Sequence, residues 1–348
     1  MKIVDRQIGK AFPPFVIAEI SANHNGKLEA AKKLISLAKE SGADAVKLQT
    51  YRADTLTINC DASDFQIKDG LWSGKSLYQL YEQAHTPWEW HPDLFKFAAD
   101  EGIIIFSSPF DASAVDLLEE LGCPAYKIAS FEIGDLELIA YAASKGKPLI
   151  ISTGLAELEE ITNAVAVAKA SGAADVALLH CLSAYPAPPS EYKLESITRL
   201  RDEFGVEVGL SDHTIGNTVA ISAVALGASI VEKHFTLDRT GGGPDDSFSM
   251  DTTGLKDLRR CLDEAWGSLG FDNYSVQPSE IPSLKYKRSI YFVEDLLAGE
   301  TISRDNVRVI RPGYGLAPKY LSEILGKRTI GDVSRGQAVS FEDIDWTS

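Results

Sequence analysis

Two histidines, His213 and His234, stand in similar settings in this 348-residue chain. Each follows a short β-favouring apolar run, in residues 209–216 and 231–236, and each has an acidic residue close by. If the two runs are neighbouring parallel strands, both imidazoles emerge at the same end of the sheet. Two imidazoles with acidic neighbours suit a divalent metal ion, and a pair of hydrogen-bonded structural histidines is the alternative.

Three lysines lie near the ends of predicted strands: Lys47, Lys127 and Lys233. A lysine on a buried parallel strand needs an acidic partner or an anionic ligand, because an unpaired ammonium group is costly to bury. Two or three such lysines at one sheet end favour an anion site over isolated ion pairs, and a Schiff-base lysine is the competing function. Serines at further strand ends would add neutral donors for phosphate or carboxylate oxygens: Ser108, Ser130, Ser152 and Ser211.

Carboxylates are expected at the same rim. Glu19 ends the first predicted strand and Glu132 follows the fourth. Acids in those places serve as general acid or base, or else partner the lysines. Asp245 lies on a glycine-rich loop after the last strand, where glycine and proline by themselves indicate only a turn.

A repeating order of β-rich run, polar tip and amphipathic helical stretch must position these groups. Eight strands are predicted, at residues 15–20, 45–50, 103–108, 125–130, 148–153, 176–182, 206–211 and 229–235. Helices are predicted between them, for example at residues 28–41, 112–121, 155–171 and 217–226, and a last one at 255–269. This alternation predicts a closed (β/α)₈ barrel of the TIM type. An open doubly wound sheet is the alternative, and no Gly-x-Gly-x-x-Gly follows the first strand to favour it.

The interval between the second and third strands is too long for one helix and contains Trp72, Trp88 and Trp90. Long ordered insertions after barrel strands often cover active sites. We expect the tryptophans mainly to pack this insertion onto the barrel, with direct substrate contact as the alternative.

The composition changes after residue 270. Residues 271–284 are rich in proline, serine and other polar residues and indicate a linker. Residues 285–348 contain short strand-like pieces, at 288–293, 297–302, 307–313 and 336–339, separated by glycine and aspartate turns. We therefore predict a barrel domain at 1–270, a linker at 271–284 and a small domain with little helix at 285–348.

Composition excludes several classes of function. The net charge of -16 and the lack of a basic run argue against nucleic-acid binding. No apolar run approaches the roughly 18 residues of a membrane helix, and the first residues lack the apolar stretch of a signal peptide. Four widely spaced cysteines fit reduced thiols. We expect a soluble cytoplasmic protein without nucleic-acid or membrane partners.

Several of these motifs together resemble the sialic acid synthase family, in order and over almost the whole chain. They are residues 18–26, 47–50, 126–130, 151–154, 210–214, 232–236 and 243–245. The tail containing Arg288 and Arg311 resembles the antifreeze-like (SAF) domain of that family. Within the family, the Ser-Ala-Asn-His-Asn version of the first motif and the tryptophan-rich insertion are most similar to the pseudaminic acid synthase branch.

The resemblance implies a metal-dependent transferase. Such enzymes condense phosphoenolpyruvate with the aldehyde of an open-chain N-acetylated sugar and water, and release phosphate by C–O cleavage. For this branch the sugar is 2,4-diacetamido-2,4,6-trideoxy-L-altrose and the product is pseudaminic acid. N-acetylneuraminate and legionaminic acid synthases are near alternatives. A non-catalytic carbohydrate-binding protein and a Schiff-base aldolase are alternatives of other kinds.

The resemblance also implies roles for individual residues. His213 and His234 would hold Mn²⁺, with Mg²⁺ or Co²⁺ as alternatives. The implied ligands of phosphoenolpyruvate are Lys47, Lys127, Ser108, Ser130, Ser152 and Ser211. The residues implied to orient the sugar are Glu19, Gln49, Tyr185 and Asp245. Glu19 and Glu132 are the implied catalytic acids, with Glu132 as the proton carrier.

Two further implications concern Arg311 and Ser183. In the family, the arginine matching Arg311 reaches the active site of the partner subunit, which implies a domain-swapped homodimer. Ser183 stands where sialic acid synthases place an asparagine that contacts phosphoenolpyruvate, so that contact is not carried over.

Overall fold

The computed structural model describes residues 1–270 and 274–347. The chain forms two compact units, Met1–Gly270 and Phe271–Ser348. The first part of the predicted linker, residues 271–273, lies outside the described residues, and Pro278–Tyr286 is a 3₁₀ helix.

Eight parallel strands of the first unit close into a barrel, with the last strand paired to the first. This confirms the predicted (β/α)₈ architecture and excludes the open sheet. Two short strands, β1 (Lys2–Ile3) and β2 (Arg6–Gln7), form an antiparallel ribbon before the barrel. The barrel strands are β3 (Phe15–Glu19), β4 (Ala45–Thr50), β5 (Ile104–Pro109), β6 (Tyr126–Ile128), β7 (Leu149–Ser152), β8 (Val176–Cys181), β9 (Glu207–Ser211) and β10 (Ile230–His234).

The barrel strands are apolar on both faces because helices cover them outside and side chains fill them inside. Every residue of β3 and β7 is buried. Gly209 on β9 is required by packing, since a Cβ atom there would collide with the backbone of Ile230 on β10. This close approach sets the two histidine-bearing strands side by side.

Helices follow the strands, and two additional ones lie in the long insertion after β4. In chain order the helices of the first unit are α1 (Leu28–Glu40), α2 (Ala53–Leu56), α3 (Leu77–Ala84), α4 (His91–Glu101), α5 (Ala112–Glu120), α6 (Leu136–Ala143), α7 (Leu158–Ala170), α8 (Ser196–Phe204), α9 (Thr218–Ala225) and α10 (Thr252–Ser268). Helix α1 shows why they form, since it buries Ala31, Leu34, Ile35 and Ala38 on one face. Within the described ranges, no helix has the length and apolar character to cross a membrane.

The second unit has a small hydrophobic core of its own, which includes Ile290, Phe292 and Ile344. Its elements are β11 (Ser289–Phe292), β12 (Val307–Ile310), α11 (Leu321–Ile324), β13 (Arg328–Thr329) and β14 (Ile344–Asp345). The prediction of strands at 297–302 and 336–339 is wrong, because those segments contribute only isolated β-bridges at Thr301 and Ala338.

Candidate active site

Four charged side chains meet at the carboxyl ends of the barrel strands. Lys47 of β4 forms an ion pair with Glu19 of β3, its neighbour in register. The Lys47 ammonium also lies 3.6 Å from Oε1 of Glu232 on β10, and the Lys127 ammonium of β6 lies 4.0 Å from the same oxygen. All four side chains are buried. Two ammonium groups thus share two carboxylates at the floor of the barrel mouth.

The pKa values of the two lysines are shifted in opposite directions. Burial opposes charge on Lys47, but the carboxylates of Glu19 and Glu232 raise its pKa above the ordinary value. Burial lowers the pKa of Lys127, and Glu232 offsets only part of that effect. An additional anion beside Lys127 would stabilise its ammonium form, so this lysine is the better placed of the two to gain from a bound anion.

Hydroxyl groups surround Lys127 and form a small cradle. The Lys127 ammonium donates to Oγ of Ser152 at 2.6 Å, and the amide of Gly154 donates to Oγ of Ser130 at 3.2 Å. A Cβ atom at Gly154 would collide with the hydroxyls of Ser130 and Ser183. Ser183, which replaces the family asparagine, therefore lies in the same cradle. Its donors suit the oxygens of a phosphate or carboxylate.

Glu232 is a floor residue that the sequence analysis missed. It accepts a hydrogen bond from Ser211 at 3.3 Å and lies between Lys47 and Lys127. Burial opposes its charge, but the two lysines hold the pKa of this carboxyl below its usual range. The signal was present, because Glu232 is two residues before His234 and alternate residues of a strand share a face.

Lys233 corrects the expectation that three lysines converge on the barrel mouth. Its ammonium donates to Oδ2 of Asp212 at 2.8 Å and to the carbonyls of Thr214 and Gly216 at 2.7 and 3.0 Å. The neighbours of Lys233 on β10 face the mouth, so strand alternation turns Lys233 to the other face. Lys233 and Asp212 therefore form a structural ion pair that supports the loop carrying His213.

The rings of His213 and His234 face each other, with their centroids 5.4 Å apart. Nδ1 of His213 lies 2.8 Å from the carbonyl of Leu182 and must donate to it, which leaves the lone pair on Nε2. Nδ1 of His234 is buried without a hydrogen-bond partner in the described part of the chain, 3.5 Å from Oδ2 of Asp245. Two facing imidazoles, each with one ring nitrogen that is not committed to a backbone carbonyl, fit a divalent ion.

The histidines would hold such an ion with few protein ligands. Across residues 1–270 and 274–347, no three or more histidine, cysteine, aspartate or glutamate side chains form a ligand cluster. Water or substrate atoms would have to complete the coordination, which is typical of a catalytic site and unlike a closed structural one.

Cys181 is a second neighbour of His213 that the sequence analysis did not single out. Burial raises the pKa of a thiol, but His213, Ser130 and Lys127 together more than offset this and lower the pKa of Cys181 to about 7. Burial lowers the pKa of His213, yet the same contact raises it overall. The end of β8 therefore contributes to the electrostatics of the histidine pair.

A cavity of about 380 Å³ adjoins the histidines. Its polar lining residues are Gln49, Glu132, His234 and Asp245. Tyr185 also lines it and packs against His213, with ring centroids 4.3 Å apart. Glu19 is not among the lining residues, because its carboxylate contacts Lys47 and the amide of Ser21 instead. The cavity has the volume of a small-molecule site, next to an anion cradle.

Comparison with known proteins accounts for this combination. Residues 34–274 match the NeuB family and residues 287–345 match the SAF domain. The chain belongs to the NeuB family. This confirms the resemblance to sialic acid synthases and the small SAF domain predicted from the tail.

Two relatives and one solved structure show how far the likeness extends. The pseudaminic acid synthase of Helicobacter pylori is 42% identical over 334 residues, 96% of this chain and 98% of that protein. The pseudaminic acid synthase of Campylobacter jejuni is 43% identical, over 94% of this chain and 96% of that protein. The crystal structure of the spore coat polysaccharide biosynthesis protein SpsE of Bacillus subtilis covers 99% of both chains, with a TM-score of 0.67 and 32% identity.

Glu132 is a carboxyl group of the cavity whose pKa is strongly shifted. Burial raises its pKa to about 7, although Lys127 offsets part of the effect. Its Oε2 atom is buried and has no hydrogen-bond partner within the described residues. A carboxyl group with such a pKa can both give and take a proton near neutral pH.

The loop that carries Asp245 is fixed by its neighbour Asp246. The Asp246 carboxylate accepts hydrogen bonds from the Thr236 hydroxyl, from the Gly243 amide at 2.7 Å and from the Asn25 side chain at 3.1 Å. These contacts tie the glycine-rich loop to the loops that follow the first and last barrel strands. Asp245 is therefore held beside His234 by ordered structure, rather than lying on a plain turn.

The three tryptophans of the insertion differ in their surroundings. Trp88 donates to the Tyr51 carbonyl at 3.2 Å, and Trp90 packs against the barrel core, as expected of packing residues. Trp72 lines the cavity instead, donating to the Pro244 carbonyl at 3.0 Å and facing Tyr185. The insertion therefore contributes directly to the site.

Arg311 belongs to the second unit, where its side chain is exposed. It is not among the lining residues of the cavity. Its contact with a partner subunit stays a prediction.

Proposed function

We propose that the protein condenses phosphoenolpyruvate with 2,4-diacetamido-2,4,6-trideoxy-L-altrose and water to give pseudaminic acid and phosphate. The observation that carries this proposal is the 42–43% identity to three pseudaminic acid synthases over both units. The site supports it independently, because an anion cradle and a sugar-sized cavity adjoin the histidine pair.

Phosphoenolpyruvate would bind at the charged floor. Lys47 and Lys127 would neutralise its phosphate and carboxylate, and the four strand-end serines would donate to their oxygens. Lys47 lies 3.5 Å from Ser108, and Ser211 contacts Glu232, so these serines already belong to the same network. The floor would hold the enol with C3 directed toward the cavity and the histidines.

The sugar aldehyde would lie at the histidine pair. His213 and His234 would hold a divalent ion, which we propose to be Mn²⁺, with Mg²⁺ or Co²⁺ as alternatives. An ion held there supplies Lewis acidity toward the aldehyde. Gln49, Tyr185 and Asp245 would orient the sugar hydroxyl and acetamido groups, since all three line the cavity.

Glu132 would handle the protons of the reaction. C3 of the enolpyruvate forms a bond to the aldehyde carbon, and the new alkoxide must gain a proton. Water then adds at C2 and loses two protons as C2 becomes a carbonyl: one must go to a base on the protein, and the other goes to the phosphate that leaves with the bridging oxygen. A carboxyl group whose pKa is about 7 can donate the first proton and accept the second, which restores its starting state.

Two features of the active protein stay predictions. We propose a homodimer in which Arg311 of each chain reaches the sugar site of the other. We also propose that the protein works in the cytoplasm. Mixing Arg311→Ala and Glu132→Ala chains tests the shared site, because activity should return in the mixture only if the two chains complement each other.

The function is tested by incubating purified protein with Mn²⁺, phosphoenolpyruvate and one sugar at a time, and measuring phosphate release. We expect release with the diacetamido-trideoxy altrose and much less with N-acetylmannosamine or the legionaminic acid precursor. Preference for either of the latter would assign the protein to that branch instead. Sugar binding by calorimetry without phosphate release from any sugar would indicate a non-catalytic carbohydrate-binding protein.

A further inference from the structure

Helix α3 of the insertion carries an apolar stripe at Leu77, Leu80, Tyr81 and Ala84, the spacing of one helix face. All four residues line the cavity. None of them is part of the hydrophobic core formed by the described barrel residues. A helix normally buries such a stripe in a core, but here it faces a cavity that reaches His234. The stripe is therefore placed to contact a ligand.

The cavity lining combines apolar and polar side chains. The apolar lining continues beyond α3 through further residues: Leu56, Ile67, Trp72, Phe110 and Phe131. We name the four stripe residues together with these five the α3 wall. The polar lining residues come from the carboxyl ends of the strands and the loops that follow them, among them Gln49, Glu132 and His234, whereas seven of the nine wall residues come from the insertion. A matching ligand has one polar end that hydrogen-bonds and one end that carries methyl groups.

We propose that the α3 wall binds the C4 to C6 end of the sugar and favours a 6-deoxy sugar with an acetamido group at C4 over N-acetylmannosamine. The inference rests on the proposed function, which places the aldehyde carbon at the histidines and directs the rest of the sugar toward the insertion. Compared with N-acetylmannosamine, the diacetamido-trideoxy altrose has a methyl group at C6 in place of a hydroxymethyl group. It also has an acetamido group at C4 in place of a hydroxyl group.

The α3 wall distinguishes these groups through burial. Methyl groups gain by leaving water for apolar side chains, whereas a hydroxyl group placed against such side chains loses its hydrogen bonds to water. One methylene in an apolar pocket changes kcat/KM by about 10- to 200-fold, and rejection of an added hydroxyl reaches about 100-fold. The α3 wall therefore produces a strong but not absolute preference for the deoxy sugar.

The test changes the polarity of the α3 wall and compares two sugars. Leu80→Asn and Leu77→Asn should each lower kcat/KM for the diacetamido-trideoxy altrose about 10- to 100-fold. They should leave kcat/KM for N-acetylmannosamine and the KM of phosphoenolpyruvate almost unchanged. Glu82→Ala is the matched control, since Glu82 is exposed on the same helix and does not line this cavity. It should keep the wild-type ratio between the two sugars.

The outcomes separate this inference from the proposed function. If the wild-type protein prefers N-acetylmannosamine, the proposed function fails and the inference with it. If the wild-type protein prefers the diacetamido-trideoxy altrose, the inference alone fails in two cases. In the first, folded variants keep that preference; in the second, their kcat/KM falls equally for both sugars. Thermal melts show whether each variant is folded. If Leu80→Asn does not fold, Leu77→Asn is used for the comparison, because Leu77 is only half-buried.

Discussion

The charged floor of the barrel mouth and the α3 wall of the adjoining cavity are stabilised by opposite kinds of interaction. The floor consists of buried charges that compensate one another, as in the contacts of Glu232 with Lys47 and Lys127. The wall consists mainly of apolar side chains from the insertion, joined by Phe110 and Phe131 of the loops after β5 and β6, and Leu80 on α3 is 7% exposed. Strand ends of a closed barrel hold charges in fixed positions, whereas an inserted helix can change its residues without disturbing them. The floor therefore binds the anionic substrate, and the wall favours the 6-deoxy sugar.

The largest expected effect comes from the histidine pair. His234→Ala removes one of the two proposed ligands, and metal-stimulated turnover with every sugar should be abolished while the fold is kept. Electron paramagnetic resonance of added Mn²⁺ should show affinity weakened at least about 100-fold. His85→Ala, in the insertion, is the control for a histidine outside this cavity. Unchanged Mn²⁺ affinity in His234→Ala would remove the metal proposal.

Lys127→Met should produce the next largest effect, because it removes an ammonium group from the anion cradle. We expect kcat/KM to fall about 1,000-fold for both sugars alike, the upper end for loss of one charge-stabilising donor. The KM of phosphoenolpyruvate should rise. Lys33→Met, at an exposed position of α1, is the control. A loss confined to one sugar would contradict the division between floor and wall.

Glu132→Gln should lower the rate about 100-fold by removing proton transfer. In the wild-type protein kcat/KM should fall above pH 7, because Glu132 must be protonated to donate and its pKa is about 7. In Glu132→Gln this fall of kcat/KM above pH 7 should be absent.

Stability provides a separate readout of the same carboxyl group. A raised pKa in the folded state means that the contribution of Glu132 is favourable below its ordinary pKa and is lost as the pH rises through about 7. Glu132→Gln should therefore gain stability relative to wild type at pH 8 and lose that advantage at pH 4. A pH-independent difference in urea unfolding would show that the carboxyl is not perturbed.

The smallest of these effects concerns Lys233. This lysine does not face the cavity, but its contacts with Asp212 and Thr214 hold the loop that carries His213. Lys233→Met should weaken Mn²⁺ binding about 10-fold, the size typical of residues that orient metal ligands. Lys233→Arg should restore part of the affinity. Loss of thermal stability with normal Mn²⁺ affinity would show that Lys233 serves only the fold.

The sequence predicts well which residues meet at the barrel mouth, because the carboxyl ends of parallel strands all lie at the same end of a barrel. Lys47, Lys127, His213 and His234 follow from that rule alone. Lys233 was misplaced and Glu232 overlooked for one reason, since the face of each residue depends on where the strand alternation starts.

The α3 wall could not be predicted in the same way. Trp72 is held by the carbonyl of Pro244, a residue 172 positions away in the chain, and only the folded loop shows that contact. The stripe on α3 is visible as a helical pattern, but the pattern does not distinguish a face that packs in a core from one that lines a cavity.

The most direct test of the account is the fate of the bridging oxygen of phosphoenolpyruvate. Substrate labelled with oxygen-18 at that position, incubated with Mn²⁺ and the diacetamido-trideoxy altrose, should give pseudaminic acid and phosphate that carries the label. Mass spectrometry of both products makes the measurement. Unlabelled phosphate, or phosphate release without a new sugar acid, would contradict condensation with C–O cleavage at this site.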